Sequence, residues 1–215
     1  MPGLTTRMIA DRVDRVLVCF EESAKHYKHP EKVEVVGMPV GKEFLYVTKE
    51  QARQKLGLSG HVVLSAFGSQ GAKAMNEMTA QLFALEQQAG FPFRHIHAVG
   101  KFGWGWMPQA VKDQGVDLEQ CPTIQMLEYI YNMPTVLAAA DVVLGRAGSG
   151  TCNEIAASGT PCILIPSPNV TNNHQEKNAR ALESKGAAVV LLEKDLTGDK
   201  LYEAACKLLE DKEKL

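Results

Sequence analysis

The chain has 215 residues, 45% hydrophobic and 22% charged, with a formal net charge of −2, enough for one sizeable core and a short extra segment. Lys and Arg are scattered rather than massed, which argues against a nucleic-acid partner or a polybasic membrane anchor. No apolar run approaches the ~20 residues needed to cross a bilayer, no signal peptide opens the chain, and five cysteines without CxxC spacing suggest neither a disulfide framework nor a zinc ribbon, so a cytoplasmic protein is expected.

In chain order, residues 7–13 read as a helix, 15–20 as a strand, 21–27 as a short helix and 33–36 as a strand. Gly37-Met38-Pro39 then breaks the chain, and Thr48-Lys49-Glu50-Gln51 opens a helix with a capping-box pattern. Residues 1–57 are too few to fold as a separate domain and read as the end of one domain running into the next. From residue 58 onward short β-branched runs alternate with amphipathic stretches. The expected strands are 61–67, 94–99, 123–127, 141–144, 162–166 and 188–192; helical stretches are expected over 72–89, 133–140, 151–158, 174–185 and 197–213. In the first of these helices Met75, Met78, Leu82 and Leu85 recur at helical spacing and read as a core stripe. Strands alternating with helices imply an α/β domain over 58–215, Rossmann-like, with a parallel sheet of about six strands covered on both faces. In such sheets ligands bind outside the carboxyl ends of the strands.

The first informative loop is Phe67-Gly68-Ser69-Gln70-Gly71-Ala72. Glycines let a backbone approach an anion, and free N–H groups at a helix start favour negative charge; a tight turn without a ligand fits equally well. The second is Gly145-Arg146-Ala147-Gly148-Ser149-Gly150-Thr151-Cys152-Asn153-Glu154. It admits two readings. In one, Thr151 caps a helix and Glu154 reaches back to the backbone. In the other, amides near Ser149, Gly150 and Thr151 meet a diphosphate while Glu154 accepts from both hydroxyls of a ribose. The third loop runs from Pro166 to Asn178, and its length and polarity are hard to justify by packing alone. Gln175 and Asn178 lie three apart and share a helix face, where amides suit sugar hydroxyls. His174 near a helix start reads as a cap or positioning group rather than a base. His95 and His97 share a strand face, but the two further ligands that a metal site needs are not nearby, so no metal is expected.

Together these loops resemble the MurG family, the UDP-N-acetylglucosamine-dependent transferases that act on a lipid-linked muramyl pentapeptide. The resemblance runs from Pro2-Gly3-Leu4-Thr5 essentially to the chain end. It is most specific at Gly68-Ser69-Gln70-Gly71-Ala72, from Arg146-Ala147-Gly148 through Glu154, and from Asn173-His174-Gln175-Glu176 to Arg180; Tyr129-Ile130-Tyr131-Asn132-Met133-Pro134 is similar to the family's uracil-binding segment. It implies the C-terminal Rossmann-like half of a GT-B glycosyltransferase, inverting, metal-independent and without a cofactor. It further implies that Gly68, Ser69 and Gln70 lie at the nucleotide, that the Ile130 main chain pairs with uracil, that Ser149 to Glu154 hold diphosphate and ribose, and that Gln175 and Asn178 hold N-acetylglucosamine. The catalytic base and the lipid-linked acceptor belong to an N-terminal domain, so this chain is expected to be a C-terminal fragment that binds donor but barely catalyses. The full-length protein is expected on the inner face of the cell membrane. Two departures stand out: Gly41 stands where the family has an arginine that reaches the diphosphate, which points to lower donor affinity or to Lys42 as a substitute, and Phe67 stands where the family has the first of two glycines. Other implied readings are a noncatalytic UDP-sugar-binding subunit, a glycolipid synthase of the same fold, and a UDP-N-acetylglucosamine epimerase.

Overall fold

A computed structural model describes residues 3–19 and 21–211; the expected strand end at Phe20 and the expected helix end at 212–213 lie outside them. The chain divides into two compact units, 1–40 and 41–215.

In the first unit, helix α1 (Leu4–Ala10) is followed by strands β1 (Val16–Val18) and β2 (Val33–Val35), which pair in parallel with Val16 opposite Val33. Ala10, Val16 and Val18 form its small core with Tyr27 and Val33. The alternation of a strand puts Leu17 on the other face, where it is exposed.

The second unit begins with α2 (Glu43–Tyr46) and α3 (Lys49–Leu56). The expected capping box is present: the Gln51 N–H donates to Thr48 Oγ1 and the Thr48 N–H to Gln51 Oε1, both at 3.3 Å. The elements that follow are β3 (Val62–Ala66), α4 (Lys73–Gln88), β4 (Arg94–Ala98), α5 (Met107–Asp113), β5 (Ile124–Leu127), α6 (Met133–Ala139), β6 (Val142–Gly145), α7 (Ser149–Ser158), β7 (Cys162–Leu164), α8 (His174–Glu183), β8 (Val189–Val190) and α9 (Gly198–Glu210). All the strands pair in parallel in the order β5-β4-β3-β6-β7-β8. Every expected strand of this unit is found, trimmed by a residue or more at one or both ends, except β6, which is shifted one residue on. Helix α5 was not expected. Its core stripe is only Met107 and Val111, too short to show periodicity, although Pro108 in its first turn is a recognised start signal.

Residues on alternating sides of the strands feed two apolar layers. Val62, Leu64 and Ile96 pack with Val136, Ile155 and Ala179 from α6, α7 and α8. Val63, Val142 and Leu144 face Met75, Leu82, Leu201 and Ala205 from α4 and α9.

Residues 41–57 belong with the sheet because α3 is strapped to it by Asp141, just before β6. Asp141 Oδ2 accepts from the Val62 N–H at 2.8 Å, Lys49 Nζ lies 2.6 Å from Oδ1, and Arg53 bonds both to Asp141 and to the Ala139 carbonyl. The compact division falls after Val40. Burial pushes the Asp141 carboxyl up, but Lys49, the Val62 N–H and Arg53 outweigh it and hold it below the usual carboxylate range. This stabilisation is present above about pH 4 and is lost as pH falls through the lowered value. Asp141→Ala is expected to destabilise the fold by about 2–3 kcal/mol, since it leaves a buried N–H and two cations without their acceptor. A denaturant melt within about 0.5 kcal/mol of wild type, the range of ordinary surface changes, would show that the strap is dispensable.

Candidate functional site at the carboxyl ends of β3 and β6

Strand order reverses direction at β3: β4 and β5 follow it on one side, and β6, β7 and β8 run out on the other. This reversal is where a doubly wound sheet opens a crevice. The loop leaving β3 and the loop leaving β6 flank it.

The β3 loop turns on Gly68 and Gly71, both in the left-handed region at φ +98° and +80°. Phe67, just before this turn, is buried in the α4/α9 layer. The loop is fixed by the segment after β4, where the Lys101 N–H donates to the Ser69 carbonyl at 3.2 Å and the Phe102 N–H to the Gln70 carbonyl at 3.0 Å. Gly71 and Gly100 cross in close contact; a Cβ on Gly71 would sit 2.3 Å from the Val99 carbonyl oxygen.

The β6 loop runs straight into α7, whose N-cap is Gly148 with no side-chain cap. Thr151 and Glu154 therefore do not form the capping box that their spacing permitted. Thr151 lies inside the helix, and among the described residues no hydrogen bond is recorded to the Ser149, Gly150 or Thr151 N–H groups, as expected for a first turn. Glu154 lies one turn on and shares the Thr151 face. No described residue hydrogen-bonds or ion-pairs with its carboxylate, and burial alone pushes its pKa up.

Between these loops lies a cleft of about 280 Å³ that brings together Gly68, Ser69, Ile130, Thr151 and Glu154. The volume is at the low end for a small-ligand pocket, ~300–1,000 Å³. The Ile130 side chain is buried in the core, which leaves its main chain as the part able to meet a ligand. Tyr129 and Met133, from the segment likened to the family's uracil-binding stretch, also line the cleft, as do Gly100 and Glu128, which the sequence reading did not assign. Gly100 and Glu128 each follow directly on an expected strand, the position where such folds carry ligand contacts, so their signal was positional. No Lys or Arg is among the lining residues.

Gln70, Ser149, Gly150, Gln175 and Asn178 do not line this cleft. Gln70 on the β3 loop and Gly150 in the first turn of α7 are exposed, each next in sequence to a lining residue. The Gln175 side-chain oxygen accepts from the Ser167 N–H at 2.9 Å, which leaves its amide hydrogens to spare. Asn178 spends an amide hydrogen on the Ala147 carbonyl at 3.0 Å and so ties α8 to the β6 loop. His174 Nδ1 lies 2.9 Å from the Thr171 carbonyl oxygen and secures the turn before α8, where Asn172 and Asn173 both take left-handed conformations. Lys42 is exposed and is not a lining residue. His95 and His97 are fully buried and bonded to Ser65. Among the described residues no group of three or more His, Cys, Asp or Glu side chains could hold a metal ion, and no helix is long and apolar enough to cross a membrane.

Comparison with known proteins gives this geometry a setting. The UDP-N-acetylglucosamine–N-acetylmuramyl-(pentapeptide) pyrophosphoryl-undecaprenol N-acetylglucosamine transferase of Acetivibrio thermocellus is 42% identical over 216 residues, 100% of this chain and 57% of that protein. The chain thus spans little more than half the length of that curated relative. Among solved structures, Acinetobacter baumannii MurG superposes with a TM-score of 0.68 at 24% identity, covering 97% of this chain and 55% of that one. Methanocaldococcus jannaschii UDP-GlcNAc 2-epimerase, in complex with UDP-GlcNAc and UDP, gives 0.61 at 14% identity, covering 96% and 57%. At such identities the structures speak for the fold alone. The model of the glycosyltransferase family 28 C-terminal domain matches residues 62–215, and the chain belongs to that family.

Proposed function

We propose that the chain is the donor-binding half of an inverting transferase that moves N-acetylglucosamine from UDP-N-acetylglucosamine onto undecaprenyl-pyrophosphoryl-muramyl pentapeptide. In this reading residues 1–57 are the end of an N-terminal domain and its connection. The acceptor and the catalytic base belong to that other domain, and the lipid-linked acceptor sets the whole protein's place at the inner membrane face.

The observation that carries the reading is Glu154. An unpartnered, half-buried carboxylate opens onto the same cleft as the first turn of α7 and the Ile130 segment. Two carboxylate oxygens suit the paired hydroxyls of a ribose. The Ile130 main chain would take the base edge. The diphosphate would meet amides rather than side-chain cations, because the lining offers Glu128 and Glu154 but no Lys or Arg. The partial positive charge of a helix start is then its main electrostatic support. The sugar would extend past Gly150 toward the spare amide hydrogens of Gln175.

Calorimetric titration of the purified chain with UDP-N-acetylglucosamine is expected to saturate, and Glu154→Ala to weaken binding about 10- to 100-fold, the worth of hydrogen bonds to a charged group. UDP-glucose bound equally well would move the assignment to a glycolipid synthase of the same fold. Epimer formation without acceptor would move it to an epimerase, and no binding of either nucleotide sugar would end the donor reading.

A further inference from the structure

Arg146 is the cation nearest in sequence to the first turn of α7, and its position invites a role on the diphosphate. Its side chain goes elsewhere. Only 11% of it is exposed; Nη2 lies 2.5 Å from Glu193 Oε2, on a side chain itself only 18% exposed. Nη1 donates to the Ile165 carbonyl at 3.1 Å. The Ile165 N–H donates back to the Gly145 carbonyl at 2.8 Å, and the next residue, fully buried Ala147, gives its carbonyl to Asn178. Three successive residues are thus fastened to three different elements immediately before Gly148. Beyond them come Ser149 and Gly150, where an added Cβ on either Gly148 or Gly150 would meet no atom closer than 4.0 Å. The turn's own hold is the Cys152 N–H bond to the Gly148 carbonyl at 2.9 Å, and neither glycine adds bulk to fix its direction.

We propose that Arg146, clamped by Glu193 and Ile165, is a positioning residue that fixes the direction in which the Ser149–Thr151 amides point, and that it acts on the diphosphate only through them. The proposal rests on the nucleotide reading above. Hydrogen bonds weaken steeply off line, and donors aimed in advance avoid the loss of ordering them on binding. A misdirected first turn therefore loses diphosphate affinity while the base and ribose contacts, made by Ile130 and Glu154, stay intact.

The test is a pair of titrations, UDP and uridine, followed by NMR on the full chain and its Arg146→Met, Arg146→Lys and Glu193→Gln variants, each with a thermal melt. Arg146→Met is expected to weaken UDP roughly 10- to 100-fold and to leave uridine within about twofold; Glu193→Gln should shift the same ratio by less. Arg146→Lys should not restore it, because an ammonium lacks the fork that reaches both the Glu193 carboxylate and the Ile165 carbonyl. Parallel losses for both ligands would reduce Arg146 to a stability role and overturn the proposal. So would full rescue by lysine, which would indicate direct charge contact, or unchanged UDP affinity in folded variants. Should Arg146→Met fail to fold, Glu193→Gln decides by the same ratio. Wild-type protein that binds neither ligand would instead sink the nucleotide reading itself.

Discussion

Gly100→Ala is expected to destabilise the sheet unit by about 2–5 kcal/mol and to spoil the cleft. An added Cβ would lie 2.1 Å from the Gly71 nitrogen, 2.4 Å from the Gly71 Cα and 2.6 Å from the Gln70 carbonyl carbon, all of them backbone atoms. A flexible side chain could swing aside, but a backbone cannot. Gly100 also sits at φ +82°, which disfavours any L side chain by about 1–2 kcal/mol, and overpacking adds roughly 1–3 kcal/mol or more. Relief requires the β3 loop to part from the segment after β4, which breaks the Lys101–Ser69 and Phe102–Gln70 bonds and shifts Gly68 and Ser69 within the cleft. Stability and UDP-N-acetylglucosamine affinity should therefore fall together. Gly105→Ala is the control: nothing lies within 4 Å of its added Cβ, so a change under about 0.5 kcal/mol is expected. A Gly100→Ala melt within about 1 kcal/mol of wild type, the central size of an ordinary point-mutant effect, would mean that the two loops are not braced against each other.

The glycines of the β3 loop were visible in the sequence, but their purpose was only half legible. A Gly-Ser-Gln-Gly run between a strand and a helix announces a turn that can approach a ligand. That Gly71 must also admit Gly100 is a contact across two loops, and no local pattern encodes it. The β6 loop shows the converse. Thr151 and Glu154 have the spacing of a capping box, and the sequence could not decide between cap and site. The helix begins two residues before Thr151, at Ser149, because Gly148 already serves as the N-cap; Thr151 is then inside the helix and Glu154 is left without a backbone partner. In α8, Gln175 and Asn178 share a face as their spacing required, yet each makes a backbone bond that spacing could not show. Periodicity gave the sheet unit's strands and their order of appearance. The polar groups that pin them, Asp141 to α3 and Arg146 to Glu193, pair residues far apart in sequence and became legible only when the chain was folded.

Ser65, His95, His97 and Glu86 form the least expected of these pairings, and the protein's response to acid is expected to depend on His97. Ser65 Oγ lies 2.7 Å from His95 Nε2 and 2.6 Å from His97 Nδ1, while His95 Nδ1 lies 2.6 Å from Glu86 Oε1. All four residues are 0% exposed. Ser65 has one proton to give, so it donates to one imidazole and accepts from the other. His97 Nε2 is left without a partner, with the Phe83 and Phe67 rings about 6 Å away. From α9, Tyr202 and Cys206 lie within electrostatic reach of Glu86; burial first raises the Tyr202 hydroxyl to about 12 and the Cys206 thiol above its ordinary value, so neither carries charge in acid. Burial first, then neighbouring His95, against a weaker opposing pull from Ser65, lowers the His97 pKa to about 3. The sign follows: His97 is neutral in the fold at neutral pH, while in the unfolded chain it takes a proton below about pH 6.5. Its contribution is whole above that value and is lost as pH falls toward 3, at about 1.4 kcal/mol per pH unit and roughly 5 kcal/mol in all. His97→Gln is expected to be less stable than wild type at pH 7, because it disturbs a packed polar chain, yet to show an acid limb shallower by about one proton between pH 6 and 3. Denaturant melts across that range read the slope directly. Equal slopes in the two proteins would mean that another buried base sets the acid limit, and the same series on Asp141→Ala would separate the carboxylate's part, which begins only below about pH 4.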